Sequence, residues 1–526
     1  MSTTIQCAAI FSDNMVLQRG KPVPVWGTGT DGVSVTVTWA TPAGTIKEET
    51  KVRQGTWRVT LPPQVAGDAG ILTVSGGDTV ISFANVVFGD VWFAGGQSNM
   101  ELELQNCQNG AAELAACANP DIRFYQVVKR AVIDADYLAD EAKSRWKVCA
   151  PDTAATLSAV AYFFARKITL DLKVPVGIIN CSWGGTSISA WMSKAQLAKS
   201  AAGQRYLDDY AALVGGKTDA EWDAEMKAYF DDWSAWDERV LARRAKDPDV
   251  TWETLNKECG ICPWPQPAGN KSPYCPANLY NSMVKRVVPF ALRGFLYYQG
   301  EEDEQRVADY FEMLYYLIGQ WRNDWDDDTL PFLIVQLPMY ASREDVEAGL
   351  PAKNWCLLRE AQYRASQTIA HTGLAVIIDC GEYDNIHPLD KQTVGFRLAL
   401  QALKVAYGKK FDADGPLFAA AQQEGSAIRV SFSQAERGLE FRGKSEGFEV
   451  AGAEGVYYPA DAVIDGNTIV ARSSKVSAPE RVRYAWIKYG PTPLYGKNGL
   501  PAMPFRSHRM DSIDSTDSTN RTDGGV

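Results

Sequence analysis

In Phe88-Gly-Asp-Val-Trp-Phe-Ala-Gly95-Gly96-Gln97-Ser98-Asn99-Met100-Glu101 an apolar run ends in two glycines, then Gln-Ser-Asn, then a segment able to start a helix. The run predicts a strand buried on both faces. The glycines permit a tight strand-to-helix turn. Ser98 then stands at the carboxyl edge of a sheet beside a helix N-terminus, where its own backbone N–H can help stabilise an oxyanion. A serine in that place can equally be a plain helix N-cap. The spacing is not the G-x-S-x-G elbow of the α/β-hydrolases.

Further runs of the same kind follow. Residues 86–94, 176–181, 295–298, 332–337 and 374–379 predict strands, with helices predicted over 158–171, 355–369 and 391–407. Val394, Leu398, Ala399 and Leu403 share one face of the last helix. Apolar strands alternating with helices predict a parallel sheet covered on both sides. Residues 1–85 read differently: Val33, Val35 and Val37 alternate with polar residues before Trp39, and short runs recur at 56–61, 71–74 and 80–83. A period of two with frequent turns predicts a β-sandwich. The chain returns to this texture at 428–432, 447–450, 468–471 and 482–487. The expected organisation is an N-terminal β-sandwich over 1–85, an α/β domain over 86–408, a β-rich domain over 409–510 and a disordered tail over 511–526. A helical insertion at roughly 195–250 carries Trp222, Met226, Tyr229, Trp233 and Val240 along one face. It either packs onto the domain or overhangs the site as a lid or wall.

Composition narrows the function. The 526 residues are 46% hydrophobic and 22% charged, with a net charge of −11. Charges of both signs are interspersed and no basic patch stands out, so nucleic acid is not an expected partner. Sixteen Trp and 22 Tyr are many, and flat rings suit the apolar faces of sugars. Ten cysteines are scattered rather than arrayed as a disulfide scaffold. The one C-x-x-C, Cys259 to Cys262, has Cys275 downstream but no histidine nearby, so no metal is expected there. The N-terminus lacks a basic segment followed by an apolar one, and no apolar run reaches the ~18 residues of a membrane span. A cytoplasmic protein without membrane attachment is expected, or a secreted one if a leader has been trimmed. Nothing signals an oligomeric state.

Histidine is scarce, which sharpens the search for a general base. Of the three, His508 adjoins the tail and His371 precedes a predicted strand, at the wrong end for a ligand site in an open sheet. His387, in Asp384-Asn-Ile-His387-Pro388, lies beyond the carboxyl end of that strand. Two other segments end at the same edge. Gly177-Ile-Ile-Asn-Cys-Ser182-Trp183-Gly184-Gly185-Thr186 repeats the strand-then-glycine pattern with amides free to face an oxyanion, and Tyr297-Tyr298-Gln299-Gly300-Glu301-Glu302-Asp303 offers the Gln299 amide. One rim thus gathers Ser98, Gly184 or Gly185, Gln299 and His387.

Gly-Gln-Ser98-Asn-Met, Trp-Gly-Gly-Thr, Tyr-Gln-Gly-Glu and Ile-His387-Pro, in this order, resemble the sialate O-acetylesterase family of SGNH-type hydrolases. Phe11-Ser-Asp-Asn-Met-Val-Leu-Gln18 resembles that family's opening β-domain and Gly499-Leu-Pro-Ala-Met-Pro-Phe-Arg506 its closing segment, so the likeness covers nearly the whole chain. The resemblance implies an SGNH-hydrolase-like (flavodoxin-like) sheet flanked by β-sandwiches and an acyl-enzyme mechanism with no cofactor. Ser98 is the implied nucleophile and His387 the base. Backbone N–H groups of Ser98 and Gly184 or Gly185, with Gln299, are the implied oxyanion donors. Asp384, three residues before His387, matches the Asp-x-x-His spacing of related SGNH esterases and is the favoured third member, with Glu382 a competitor. Gln97, Asn99, Trp183 and Glu301 are candidates to touch substrate. The implied substrate is an O-acetylated sugar, first of all a sialic acid, with acetylated xylan or another plant glycan as the rival. A non-catalytic sugar-binding protein is the alternative of another class.

Overall fold

The computed structural model describes residues 4–247, 250–349 and 353–508; the tail expected over 511–526 lies outside them. The chain divides into two compact units, Met1–Ala413 and Asp414–Val526.

The first unit is organised by the strand Thr79–Gly96, whose residues from Val86 to Gly96 are all buried. It lies between Val176–Ser182 and Gly294–Tyr298, both parallel to it. Outward on one side come Asn119–Gln126, parallel, and Trp146–Cys149, antiparallel at the edge. On the other side come Phe332–Val335 and Thr372–Ala375, both parallel. Successive residues of a strand face opposite ways, and the aromatic contacts follow. Trp92 meets Phe164 of the helix Ala159–Leu172 edge-on at 5.0 Å, whereas Phe93 meets Trp321 of the helix Val307–Asp324 at 5.1 Å. Helices therefore cover both faces, and each fully buried apolar ring contributes about 1.5–3 kcal/mol.

Three elements were not expected from apolar runs. The strand Asn119–Gln126 opens on Asn-Pro-Asp and carries Arg123 among its four buried residues, which breaks the apolar signal. Trp146–Cys149 is a short edge strand with an exposed lysine. The helix Val307–Asp324 is the third, although Tyr310, Met313, Leu314, Leu317, Ile318 and Trp321 recur at helical spacing and are buried. Conversely, the strand expected over 374–379 ends at Ala375, and the chain turns immediately afterwards.

The N-terminal segments form two antiparallel sheets, one of Ile5–Cys7, Val23–Gly29 and Thr56–Leu61, the other of Ser34–Thr41, Gly44–Lys51, Gly70–Gly76 and the first half of Thr79–Gly96. The expected boundary at 85/86 falls inside that unbroken strand, which belongs to both the antiparallel sheet and the parallel one. The N-terminal region is further fastened by Arg19, whose guanidinium makes two hydrogen bonds to the fully buried Asp90 at 3.0 and 2.9 Å. The second unit has two four-stranded antiparallel sheets and a two-stranded one. Phe418, Phe432, Phe448, Tyr484 and Phe505 meet in its interior. No helix among the described residues is long and apolar enough to cross a membrane.

Candidate active site

Register brings the first residues of the site together. Gly96 is level with Ser182 on one neighbouring strand and with Tyr298 on the other. Two residues beyond each pairing, Ser98 and Gly184 emerge side by side: a Cβ placed on Gly184 would lie 3.2 Å from that of Ser98. Gly96 makes the turn possible. Its φ is +136°, and a Cβ there would sit 2.1 Å from the Tyr298 carbonyl oxygen, which also accepts the Gln97 N–H at 3.0 Å. Ser98 opens a single helical turn, Ser98–Glu101, with Gln97 in the N-cap place. The serine hydroxyl is thus not a cap. Its Oγ lies 2.8 Å from His387 Nε2.

His387 arrives by a longer route, twelve residues past the end of Thr372–Ala375, and polar side chains define its position. Asn385 accepts the His387 N–H at 3.0 Å through Oδ1 and donates through Nδ2 to the His387 carbonyl at 3.0 Å. Glu382 accepts from Asn385 Nδ2 at 2.8 Å and from the Leu389 N–H at 2.6 Å. From the serine side, Asn99 donates to the Ile386 carbonyl at 2.9 Å and to Glu301 at 2.6 Å, while its Oδ1 accepts from Lys391 Nζ at 2.6 Å. Lys391 is fully buried at the start of the helix Lys391–Val405.

Electrostatics follow from this packing. Desolvation on the protein side, with a smaller contribution from the Lys391 ammonium, pushes the half-buried His387 ring from its ordinary 6.5 down to about 4. The ring is therefore neutral at pH 7, and Nε2 can accept a proton. Burial also pushes Lys391 down to about 8, against the opposing pull of Glu301. Glu301 itself is raised by burial.

Several expected roles are corrected by these contacts. Asp384 does not hydrogen-bond to His387. It occupies a turn at φ +54°, where its carboxylate accepts the Arg343 N–H at 2.9 Å and lies 3.4 Å from Asn256 Nδ2. Glu382, the competitor, is spent on Asn385 and Leu389, and no carboxylate among the described residues bonds to the imidazole. The arrangement is a serine–histidine pair. Gln299 is fully buried, and its Nε2 donates to Asp303 at 2.5 Å and the Thr186 carbonyl at 3.2 Å, leaving nothing for an oxyanion. It braces the glycine loop from beneath instead. The Gly184 N–H donates to Glu101 at 2.6 Å, and Glu101 is also paired with Lys129. The amides of Ser98 and Gly185 donate to no protein acceptor among the described residues. Gln97 accepts the Gly300 and Glu302 N–H groups at 3.2 and 3.4 Å, and Gln97, Asn99 and Glu301 are all buried. They shape the site rather than face a substrate. Trp183 remains half-exposed beneath Lys129, whose Nζ lies 5.1 Å from the ring centre.

His371 sits at the opposite end of its strand and is exposed, as is His508 in the second unit. Cys259, Cys262 and Cys275 are unpaired thiols. Lys391 and Asn385 were not anticipated. A lysine opening a helix carries no mark of burial, and an asparagine two residues from a histidine reads as turn chemistry.

Residues 261–402, which include His387 but not Ser98, match the family described as carbohydrate esterase, sialic acid-specific acetylesterase. The sialate O-acetylesterase of Mus musculus is 29% identical over 442 residues, covering 78% of this chain and 75% of the mouse protein. That of Homo sapiens is 27% identical over 449 residues, covering 78% and 73%. A crystal structure of a carbohydrate acetylesterase from Xanthomonas citri superposes with a TM-score of 0.75 at 30% identity, covering 96% of this chain and all of that one. With a whole-length match of that kind, the chain belongs to the carbohydrate esterases of the sialic acid-specific acetylesterase family.

Proposed function

We propose that this protein is a serine esterase that hydrolyses O-acetyl groups on carbohydrate hydroxyls through an acyl-enzyme, with O-acetylated sialic acids as its first substrate class. The observation that carries the reading is the 2.8 Å contact between Ser98 Oγ and the neutral His387 ring. Ser98 attacks the acetyl carbonyl while His387 Nε2 takes the hydroxyl proton. The Ser98 and Gly185 N–H groups receive the oxyanion, and Gly184 joins them if Glu101 swings aside. The imidazolium then protonates the departing sugar oxygen. In the second half, His387 removes a proton from water, which attacks the acetyl-serine and releases acetate.

Without a carboxylate partner, the imidazolium has only dipoles and solvent to stabilise it. Buried side chains and Asn385 take over the orienting task that a third triad member ordinarily performs. A central sheet of SGNH type suits this chemistry. The sialic-acid reading rests on the names of the relatives and on Lys129, an ammonium beside Trp183 that a substrate carboxylate would have to share with Glu101.

Acetate release should be followed from 9-O-acetylated sialic acid and acetylated xylo-oligosaccharides in parallel, with Ser98→Ala as control. Release from the sialic acid, reduced about 10³-fold or more in the variant, is the expected outcome. Release from xylan fragments alone would keep the mechanism and remove the sialic-acid assignment.

A further inference from the structure

Against the glycine loop lies a cavity of about 650 Å³ of whose lining the mechanism uses Gly185 alone, a size ordinary for a small-ligand site. Its walls are aromatic: Trp264, Tyr229, Tyr210 and Tyr274, with Gly185 at one side. The cavity touches the reaction centre through Gly185. Trp264 packs directly on Gly185, where a Cβ would lie 2.1 Å from the ring, and φ is +68°. Gly184, the next residue back, is the one against Ser98, and consecutive Cα atoms are only about 3.8 Å apart.

The rings are held in place. Tyr229 Oη donates to the Pro263 carbonyl at 2.9 Å, and Tyr210 Oη donates to the Gly269 carbonyl at 3.0 Å. Trp222 and Trp236 donate their indole N–H to the Pro267 and Gly260 carbonyls at 2.9 and 2.8 Å. The insertion helices Ala201–Val214 and Asp219–Lys246 thus clamp the segment that presents Trp264. Trp264 itself, edge-on to Tyr274 at 5.3 Å, remains 48% exposed, and a flat apolar ligand face would cover it. Of the charged residues on its walls, Glu225 is paired with Lys217 at 2.5 Å and Arg306 with Asp209 at 3.1 Å, while burial pushes Glu302 up to about 8. No lining cation is left to hold an anionic ligand and Asp232 opposes one, whereas an uncharged polyhydroxylated ring suits the aromatic walls.

We propose that this cavity is a subsite for an uncharged pyranose adjoining the acetylated residue, so that the enzyme acts on oligosaccharide esters in preference to acetylated single sugars. The inference rests on the reading of Ser98 as the esterase nucleophile. It assigns the insertion as the wall of the substrate site.

Two measurements test it. In the Ser98→Ala protein, where turnover cannot interfere, xylotetraose, 3′-sialyllactose and N-acetylneuraminic acid are titrated by calorimetry. At least one of the two oligosaccharides should bind. Adding Trp264→Ala, or Ala228→Trp to fill the cavity from an exposed helix position, should weaken that binding about tenfold or more. Failure of both oligosaccharides to bind at millimolar concentration, or affinities that neither variant changes, would overturn the subsite. This result is independent of whether any sugar ester is hydrolysed. In the active protein, Trp264→Ala should lower kcat/KM for the O-acetylated form of the oligosaccharide that binds about tenfold more than for 4-nitrophenyl acetate. An equal fall for both esters would mean that Trp264 only supports Gly185, and would sink the proposal.

Discussion

The two halves of the serine–histidine pair are positioned by different physics. Ser98 is delivered by backbone register: Gly96, Ser182 and Tyr298 are level in a parallel sheet, and the next residues have nowhere else to go. His387 is delivered by side chains, at the end of a twelve-residue excursion anchored by Asn385, Glu382, Asn99 and Lys391. A position set by register depends on backbone fit and fails all at once. A position set by side-chain hydrogen bonds degrades step by step as single polar groups are removed.

That contrast can be broken at its strong end first. Gly96→Ala introduces a Cβ at φ +136° and 2.1 Å from the Tyr298 carbonyl oxygen. It should cost about 3 kcal/mol or more, lower Tm by several degrees and abolish esterase activity. Full activity in a stable Gly96→Ala protein would show that register is not what places the serine. Asn385→Ala should leave the sheet intact and reduce kcat about 10- to 100-fold with little change in KM, measured as steady-state kinetics beside an unchanged melting curve. A rise in KM alone would assign Asn385 to substrate binding.

Lys391→Met probes the same loop through its electrostatics. The neutral form of His387 is the active base, so kcat/KM is lost as pH falls through its pKa. With that pKa near 4, the acid limb of the parent protein should lie well below the ordinary 6.5. Removing the buried ammonium should shift the limb upward as well as slow the reaction. A parent limb at or above 6.5 would point to a carboxylate partner for the imidazole. The smallest effect is expected from Asp384→Asn, at most about threefold on kcat, because the carboxylate bonds to the Arg343 N–H and not to His387. A loss approaching 10⁴-fold, the consequence of removing the acid of a complete triad, would restore Asp384 to that role.

Sequence alone determined the α/β character of the middle of the chain and the β character of its ends. It also picked out Ser98, His387 and the Trp-Gly-Gly segment as candidates for one rim, while their catalytic roles came from the family resemblance. Those inferences rest on local signals: apolar runs, period-two alternation, glycines before a serine, and the rarity of histidine. Tertiary structure decided which polar groups remain available. Gln299 and Asn99 are functional-looking residues whose donors are consumed internally, Glu301 is buried with one oxygen held by Asn99, and Asp384 lies at the right spacing yet faces Arg343. Whether a donor or carboxylate is spent depends on partners far away in the chain, as with Asn99 and Lys391, 292 residues apart. Buried polar groups must be satisfied, and burial is a property of the packed chain rather than of any segment within it.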